Sequence, residues 1–498
     1  MKKEVFLKNA AVLTVSSLIL RLLSLLLRGW LSYQIGVGGI GEYQLILSVF
    51  LPAVSLATGG ISLTVTRLTS LALGEQRETR IRSGVHRCMA FSLCFSLGAC
   101  VLLDFLALPL SRTFLSGVAS AHCLWILSAG LPFMSVSSCI RGYFLAMRCT
   151  IRPALCEGFE QISGIVLILL AFSLGKPATL ESACLFMMAA STLSEILSCL
   201  FSILLYRGHA LRFLPAHQEP YPQVGRSIRH ITLPGTLSYA ARNCLNMAVN
   251  LLIPMGLMQY GAGKDAALAQ YGMLEGMVIP LLTFPSVFLT SVSSLLIPEV
   301  AQSMAAQNRP GTRAVASRAL QAALLFSIPV TCFFFLFGSP IGTLFYGRSE
   351  AGEYLRMLAP LTPLWYLDTI VDSLLKGLDQ QTPSFLYNTL DAAVRTALIW
   401  LLLPKFGLQG YIAILFLCSI GNAFLSLHRL LKVTGAPIRW RRWVLIPAGC
   451  CLLCGEGMIR LLGAAPPETG LFLGLPAAGL LSFLLMKHFH CFARVKPG

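Results

Sequence analysis

Apolar runs long enough to cross a membrane recur along this sequence, and short polar turns separate most of them. A helix needs about 20 apolar residues to cross the hydrocarbon core of a bilayer, where every backbone polar group must be paired within the protein. The runs are too continuous for the alternating strands of a membrane barrel. We therefore predict an all-α integral membrane protein with about 14 transmembrane helices. The predicted spans cover residues 9–35, 42–73, 84–110, 121–147, 153–175, 181–206, 231–259, 267–299, 318–346, 354–378, 383–404, 408–431, 443–463 and 468–487.

The charge distribution predicts how these spans are oriented. Of the 38 Lys and Arg residues, 25 fall in segments that lie on one side of the predicted membrane and six on the other. Basic residues concentrate on the cytoplasmic side of membrane proteins, so we expect both termini in the cytoplasm of a bacterial cell. Basic loops beside anionic lipid headgroups also explain the formal net charge of +17. Anionic membrane lipids are therefore the expected partners of these loops, and nucleic acid is not.

Two arginines interrupt the first apolar run. On an insertion scale, an arginine at the centre of a membrane helix costs roughly 2.5 to 3.5 kcal/mol, whereas each Leu or Ile contributes only about 0.3 to 0.6 kcal/mol in the other direction. Arg21 and Arg28 are seven residues apart, so they share one helical face. This pattern predicts a basic stripe that faces something other than lipid. A salt bridge for Arg21, and snorkelling of Arg28 to the outer interface, are the structural alternatives.

Other arginines within the predicted spans have two explanations each. Arg242 on the seventh span is a candidate to face the same cavity as the first-span stripe, but an ion pair with Asp368 or Glu275 would explain it equally well. Arg67 and Arg141 lie near predicted cytoplasmic helix ends, where a cation is favoured by the helix dipole and by anionic lipid. We therefore interpret Arg67 and Arg141 as structural residues.

Acidic residues on the later spans are candidates for coupling transport to an ion. Asp368 and Asp372 are four residues apart on the tenth span and share a face, as do Asp391 and Arg395 on the eleventh. The four-residue spacing of Asp391 and Arg395 favours an ion pair within the helix, which would neutralise Asp391.

Sixteen cysteines are scattered over the predicted spans, and within the thirteenth Cys451 and Cys454, which follow Cys450 directly, form a Cys-x-x-Cys pattern. A redox or metal site needs exposed thiolates and further ligands, which this pattern lacks. We interpret the cysteines as small apolar residues of helices. We accordingly predict no metal ion and no cofactor, with Na⁺ or H⁺ as the possible coupling ion of a transporter.

A faint repeat predicts how the spans are grouped. The interval from Tyr43 to Pro52 in the second span recurs from Tyr271 to Pro280 in the eighth, six spans later. Parallel repeats of this kind form two lobes in many transporters. We therefore predict an N-lobe at residues 1–230 with a cytoplasmic linker, a C-lobe at 231–435, and two additional spans at 436–498. One copy of the chain would form the transport unit.

Several short motifs along the chain resemble a known family. They are RLLSLLLRGWLSYQIGVGGIGEYQL at 21–45, TGGIS at 58–62, RGYFLAMR at 141–148, EQI at 160–162, SSLLIPEVA at 293–301 and LKGLDQQTPSFLYN at 375–388. Together they resemble the stage V sporulation protein B branch of the multidrug/oligosaccharidyl-lipid/polysaccharide (MOP) flippase superfamily, to which the lipid II flippase MurJ is related. The resemblance implies two six-helix lobes around a central cavity and two C-terminal helices. It also implies alternating-access transport of a lipid-linked, pyrophosphate-bearing sugar across the bacterial cytoplasmic membrane.

The resemblance implies roles for the residues singled out above. Arg21, Arg28 and Arg242 would hold the pyrophosphate of an undecaprenyl-pyrophosphate oligosaccharide, because guanidinium groups bind phosphate oxygens in pairs. MurJ has an aspartate after its second first-span arginine, whereas Gly29 stands here, so an arginine–aspartate gate cannot be transferred. The glutamine that usually follows Gly-Tyr-Phe in the family is Leu145 in this chain.

The resemblance also implies a place for the coupling ion. MurJ relatives hold a sodium ion in the second lobe with polar groups of the seventh and eleventh spans. The matching groups here are Asn246, Asn250 and Asp391, with Asp368 and Asp372 as further carboxylates on the tenth span. Their oxygen atoms suit a hard cation.

Three other functions are alternatives to a flippase. A cation-coupled multidrug exporter of the same fold should line its cavity with acids and aromatic rings, whereas the first span offers arginines. A membrane glycosyltransferase needs a larger external loop than this sequence predicts, and the eight histidines form no cluster. We therefore predict a protein that is not an enzyme. A non-transporting factor in envelope or spore assembly is the remaining alternative.

Overall fold

The structure of the protein is a computed structural model. It describes residues 3–115, 118–147, 149, 151–177, 179–215, 219, 225, 230, 232–305, 307–461, 475–489 and 491. Most of the predicted cytoplasmic linker after residue 215, and the start of the predicted fourteenth span, lie outside the described residues. Several side chains of the SSLLIPEVA motif lie outside them as well.

The described residues form helices joined by short turns, as the apolar runs predict. A π-helical segment, Gly272–Val278, joins the helices Lys264–Tyr271 and Ile279–Thr283, and a second, Arg441–Leu445, precedes the helix Ile446–Leu461. A 3₁₀ turn, Ala359–Leu361, joins the helices Ser349–Leu358 and Thr362–Gly377. The α-helices are α1 (Lys3–Thr58), α2 (Ile61–Gly74), α3 (Thr79–Phe114), α4 (Val118–Ser128), α5 (Leu131–Ala146), α6 (Ile151–Gly175), α7 (Leu180–Phe213), α8 (Leu233–Tyr260), α9 (Lys264–Tyr271), α10 (Ile279–Thr283), α11 (Ser286–Ala305), α12 (Arg309–Tyr346), α13 (Ser349–Leu358), α14 (Thr362–Gly377), α15 (Gln381–Thr434), α16 (Ile446–Leu461) and α17 (Leu475–His488).

Two helices are far longer than one membrane crossing requires, and each is broken at a glycine. Helix α1 has 56 residues and α15 has 54, whereas about 20 residues cross the hydrocarbon core. Gly36 in α1 has φ 72° and ψ 173°, and Gly407 in α15 has φ 56° and ψ −146°. Side chains with a Cβ rarely adopt such angles, so glycine is required at both breaks. The breaks fall in the predicted gaps between spans one and two and between spans eleven and twelve.

Eight helices in the described part of the chain are long and apolar enough to cross a membrane, or nine if the α4 and α5 pair, bent by 41°, is one span. Helices α1 and α15 each contain two predicted spans, and the eighth and tenth predicted spans each consist of several short helices. The arrangement therefore agrees with about 14 predicted spans. The all-α, multi-span prediction is confirmed.

The chain divides into two compact units. The first comprises Met1–Leu27 and Ile35–Met255, and the second comprises Arg28–Gln34 and Gly256–Gly498. The segment Arg28–Gln34 of α1 therefore belongs with the second half of the chain. The finer division into lobes at 1–230, 231–435 and 436–498 stays a prediction.

Each unit has its own apolar core. In the first unit, α2 packs on α3, α5 and the end of α7, with Ile61 and Tyr143 among the fully buried side chains. In the second, α12 and α14 pack together around Leu320 and Leu374, and Trp443 covers one end. Close helix contacts need small residues, since a Cβ on Gly142 would lie 2.5 Å from the Ser62 carbonyl oxygen.

Candidate substrate and cation sites

Arg21 lies on α1 within the first unit, and its side chain is exposed. No hydrogen bond or ion pair joins it to another residue that the structure describes. One turn further along α1, the Ser24 hydroxyl donates to the Leu20 carbonyl at 3.0 Å and accepts from Gln161 Nε2 at 2.6 Å. The glutamine of the EQI motif therefore ties α6 to the helix that carries Arg21. The sequence shows the EQI motif but does not indicate that Gln161 bonds to Ser24.

Arg28 belongs to the second unit and is half-buried. Its Nη1 donates a hydrogen bond to the Gly276 carbonyl at 3.0 Å. The next carbonyl of the π-helical segment, that of Met277, accepts from the Tyr346 hydroxyl at 2.9 Å. The sequence suggests that Arg28 contacts the substrate or reaches the outer interface. The hydrogen bond to the Gly276 carbonyl is a third environment, which the sequence does not indicate.

Arg242 is exposed on α8 in the first unit and forms no ion pair with the residues described there. Its neighbour Asn243 donates a hydrogen bond to the Ser55 hydroxyl. Nearer the start of α8, Thr236 donates to the Gly59 carbonyl. The TGGIS motif breaks the helix at Gly59, and these bonds fix the first turns of α8 against that break.

The polar groups predicted to hold a coupling ion have different surroundings. Asn246 is exposed and Asn250 is half-buried, both on α8 in the first unit. Asp391, in the second unit, accepts a hydrogen bond from Arg395 Nη2 at 2.6 Å, in the intrahelical ion pair that their spacing favoured. Asp391 is therefore neutralised by its own helix in this structure.

The two carboxylates on α14 also have partners. Asp372 pairs with Lys376 at 2.6 Å and accepts a hydrogen bond from Ser384. Asp368 accepts from Asn422 Nδ2 at 3.4 Å. Both residues link α14 to α15 within the second unit.

Glu275 lies at the centre of the π-helical segment, where sequence reasoning could not assign it a role. The Tyr411 hydroxyl on α15 donates a hydrogen bond to its carboxylate. Tyr411 is almost completely buried, and Tyr271, four residues before Glu275, is completely buried. The signal available in the sequence is a carboxylate well inside the apolar run 264–283, whose other acidic residue, Asp265, lies at its start.

A half-buried ion pair lies in the first unit. Arg141 on α5 pairs with Glu160 on α6 at 3.7 Å, and the Ser198 hydroxyl on α7 donates to the same carboxylate at 3.4 Å. The Ser194 hydroxyl donates to the Glu160 carbonyl at 2.6 Å. Arg141 therefore has a specific partner between three helices, beyond the helix-end role that the sequence suggested.

The cysteines are all free thiols, and Cys450, Cys451 and Cys454 are buried. Among the described residues, no group of three or more His, Cys, Asp or Glu side chains could hold a metal ion. The polar groups that the helices do bring together form ion pairs and hydrogen bonds inside apolar surroundings. Such groups are suited to binding and conformational change.

Comparison with known proteins identifies the family. A family model described as polysaccharide biosynthesis protein matches residues 6–304, and a model named MatE matches residues 240–401. The first match spans more than half of the chain, so the protein belongs to the polysaccharide biosynthesis protein family. Family and fold together place it in the MOP flippase superfamily, whose members are membrane transporters and flippases and not enzymes.

Individual relatives agree with this family. The chain is 24% identical to stage V sporulation protein B of Bacillus subtilis over 420 residues, which are 82% of this chain and 80% of the relative. It is 21% identical to the Bacillus subtilis sporulation protein YkvU over 406 residues, 80% of this chain and 88% of that one.

Two solved structures share the fold. The lipid II flippase MurJ, in an inward closed conformation, superposes with a TM-score of 0.72 and 15% identity, covering 96% of this chain and 99% of MurJ. An inward-facing multidrug resistance MATE family transporter of the same superfamily superposes with a TM-score of 0.62 and 15% identity, covering 91% of this chain and 99% of the transporter.

Proposed function

We propose that the protein moves an undecaprenyl-pyrophosphate-linked oligosaccharide across the bacterial cytoplasmic membrane by alternating access. The cargo would be lipid II or another precursor of a cell-envelope polysaccharide. No covalent bond changes in such a step. The protein lowers the barrier for a charged headgroup to pass through hydrocarbon, because its own polar groups replace the water around the charge.

The observation that carries this proposal is Arg21. A guanidinium at that depth in a span is costly, and its side chain is exposed with no acidic partner among the described residues of its unit. A pyrophosphate offers oxygens in the geometry that a guanidinium binds through two parallel hydrogen bonds. An anionic cargo would therefore satisfy a charge for which the described residues offer no partner.

Two further arginines are proposed to share the pyrophosphate. Arg242 is exposed and has no ion pair with a described residue of its unit. Arg28 uses one of its five N–H donors on the Gly276 carbonyl. The remaining donors of Arg28 would be available to an anion, while the backbone bond holds the guanidinium in place.

The relatives support the class of cargo. Two are named for sporulation, one solved structure is a lipid II flippase, and the family is named for polysaccharide biosynthesis. We extend this to a location in the cytoplasmic membrane with both termini inside, to basic loops against anionic lipid, and to a single chain as the transport unit. The coupling ion would be Na⁺ or H⁺, and Asn246, Asn250, Asp368, Asp372 and Asp391 are the polar groups proposed to serve it.

A cation-coupled multidrug exporter is the second candidate, because the MatE model matches residues 240–401. An exporter of cationic drugs would bind its cargo through carboxylates and aromatic rings. Replacing Arg21 would then leave the binding of a cationic drug unchanged or strengthen it. The same substitution is expected to weaken the binding of an anionic lipid.

The experiment is native mass spectrometry of the purified, detergent-solubilised protein with lipid II, with a second undecaprenyl-pyrophosphate sugar, and with a cationic dye. We expect a lipid adduct that Arg21→Ala weakens at least about tenfold, since a charge-assisted bidentate contact contributes roughly 1.5 to 3 kcal/mol. Arg67→Ala is the matched control, because Arg67 is also an exposed arginine of the first unit.

Three results would contradict the proposal. Dye binding without lipid binding would favour the exporter. Equal lipid binding by wild type and Arg21→Ala would remove the arginine from the site. The absence of any cargo binding would favour a non-transporting role in envelope or spore assembly.

A further inference from the structure

The second unit holds a carboxylate that the proposed cargo site does not use. Glu275 is half-buried in the π-helical segment Gly272–Val278, within an apolar helical run. Its Oε1 accepts a hydrogen bond from the Tyr411 hydroxyl, and Tyr411 is 1% exposed. π-Helical turns occur often at functional sites, since the extra residue in the turn is retained at a cost to helix geometry.

A buried hydroxyl beside Glu275 finds no hydrogen-bond partner among the described residues. Tyr271 is completely buried, and its hydroxyl forms no hydrogen bond with any residue the structure describes. It lies close enough to the Glu275 carboxylate for an electrostatic interaction. A buried hydroxyl without a partner is unfavourable. A carboxylic acid on Glu275 could donate its proton to this oxygen, whereas a carboxylate could only accept.

The charges around Glu275 do not balance when every group is ionised. Arg395 on α15 interacts with the Glu275 carboxylate, but its Nη2 is already 2.6 Å from Asp391. Two carboxylates therefore share one guanidinium, and the remaining groups facing them, Tyr271 and Tyr411, are neutral phenols. The Cys418 thiol also faces the arginine. A site in apolar surroundings with one excess negative charge favours binding of one cation.

We propose that Glu275 is the proton-binding site of the second unit. The proton comes from water, joins the Glu275 carboxylate, and returns to water when the site opens again, with no other bond formed or broken. A sodium ion would need about six oxygen ligands, as hard cations do in proteins. The described neighbours offer one carboxylate and two phenol oxygens. This inference rests on the proposed function in one respect, because it identifies H⁺ as the ion that drives the proposed transport.

Protonation changes the bonds that Glu275 can make. The carboxylate binds α15 through Tyr411, whereas the acid is a weaker acceptor and turns its new O–H toward Tyr271 on its own helical run. The link between the π-helical segment and α15 therefore loosens when the proton binds. The following residue is Gly276, whose carbonyl holds Arg28. Proton binding at Glu275 thus acts on the backbone that positions an arginine of the cargo site.

Infrared difference spectroscopy of the purified full-length protein, recorded over a pH series without any lipid cargo, tests the proposal. We expect a carboxylic acid carbonyl band that titrates reversibly over the pH series and is lost in Glu275→Gln. Tyr411→Phe should shift the midpoint of this band upward by about one pH unit, because the donated hydrogen bond favours the charged form. Tyr366→Phe is the control, since that buried phenol donates to the Leu282 carbonyl instead.

Three outcomes would overturn the proposal. The band could persist in Glu275→Gln, or Tyr411→Phe and Tyr366→Phe could shift it equally. Sodium chloride could displace it where choline chloride at the same ionic strength does not, which would identify a sodium site. Tyr411→Phe supplies a separate test if Glu275→Gln fails to fold. Because no lipid is present, failure of cargo binding and failure of proton binding are distinguishable.

Discussion

Arg28 and Gly276 are 248 positions apart in the chain, and the Arg28 Nη1 donates a 3.0 Å hydrogen bond to the Gly276 carbonyl. The bond joins a first-span arginine to the π-helical segment of the second unit. Gly29 makes the approach possible, because a Cβ at that position would lie 2.5 Å from the Phe345 carbonyl oxygen. Arg28 is thereby a structural residue of the second unit as well as a proposed cargo contact.

Arg28→Met should lower the stability of the protein. The substitution keeps an unbranched apolar stem but removes a charge-assisted hydrogen bond to a backbone carbonyl. We expect a loss of about 1 kcal/mol, at the low end for such bonds because the side chain is only half-buried. A thiol-reactive dye reports the melting temperature, since most of the sixteen free cysteines are buried and become reactive on unfolding.

Arg67→Met is the control for Arg28→Met, because Arg67 is exposed and lies in the first unit. Its melting temperature should match that of the wild type. Equal melting of the Arg28 variant and the wild type would mean that the bond to Gly276 contributes nothing to stability.

Gly407→Ala should destabilise the protein by about 1 to 3 kcal/mol, as expected for a non-glycine residue held in a conformation that glycine alone adopts readily. Gly407 has φ 56° and ψ −146°, and a Cβ there would lie 2.7 Å from the Tyr260 ring. The same melting assay measures the loss.

Gly421→Ala in the same helix provides the comparison. Gly421 is helical, and a Cβ built there has no atom within 4 Å outside its own helix. Alanine should leave stability unchanged or raise it slightly, since glycine is the weaker helix former. Similar destabilisation by both substitutions would show that the break at Gly407 does not require glycine.

The ion pair between Asp391 and Arg395 should give a strongly non-additive double-mutant cycle. Their side chains are 13% and 29% exposed, so each is largely removed from water. Asp391→Asn alone removes the carboxylate that lies within ion-pair distance of Arg395 and should cost about 1 to 3 kcal/mol. The double variant Asp391→Asn/Arg395→Gln should melt at a higher temperature than the sum of the single effects predicts. Additive effects would mean that the two charges do not stabilise one another.

Much of the fold follows from local features of the sequence. Hydropathy alone predicts an all-helical chain with many membrane spans, because hydrocarbon forces each crossing to be a helix of a minimum length. The break in α15 at Gly407 lies in the gap that hydropathy predicts between the spans 383–404 and 408–431. The ion pair between Asp391 and Arg395 follows from four-residue spacing in the same way.

The π-helical segment Gly272–Val278 could not be predicted, because its two glycines and the following Pro280 indicate a break in a helix without indicating a wider turn. The wider turn is stabilised by contacts with distant residues, Arg28 and Tyr346. The partners of Glu275 and Gln161 were missed for the same reason. Sequence spacing identifies neighbours on one helix, whereas Tyr411 and Ser24 lie on other helices.

The central claim is tested most directly by lipid translocation in reconstituted vesicles. Lipid II with a fluorophore on its sugar is placed in both leaflets, and an impermeant reductant then bleaches what reaches the outer face. We expect wild type and Arg67→Ala to expose nearly all of the fluorophore, and Arg21→Ala to leave the inner half protected, as vesicles without protein do. Wild-type vesicles that behave like empty ones, or an Arg21→Ala variant that translocates as fast as the wild type, would contradict the account.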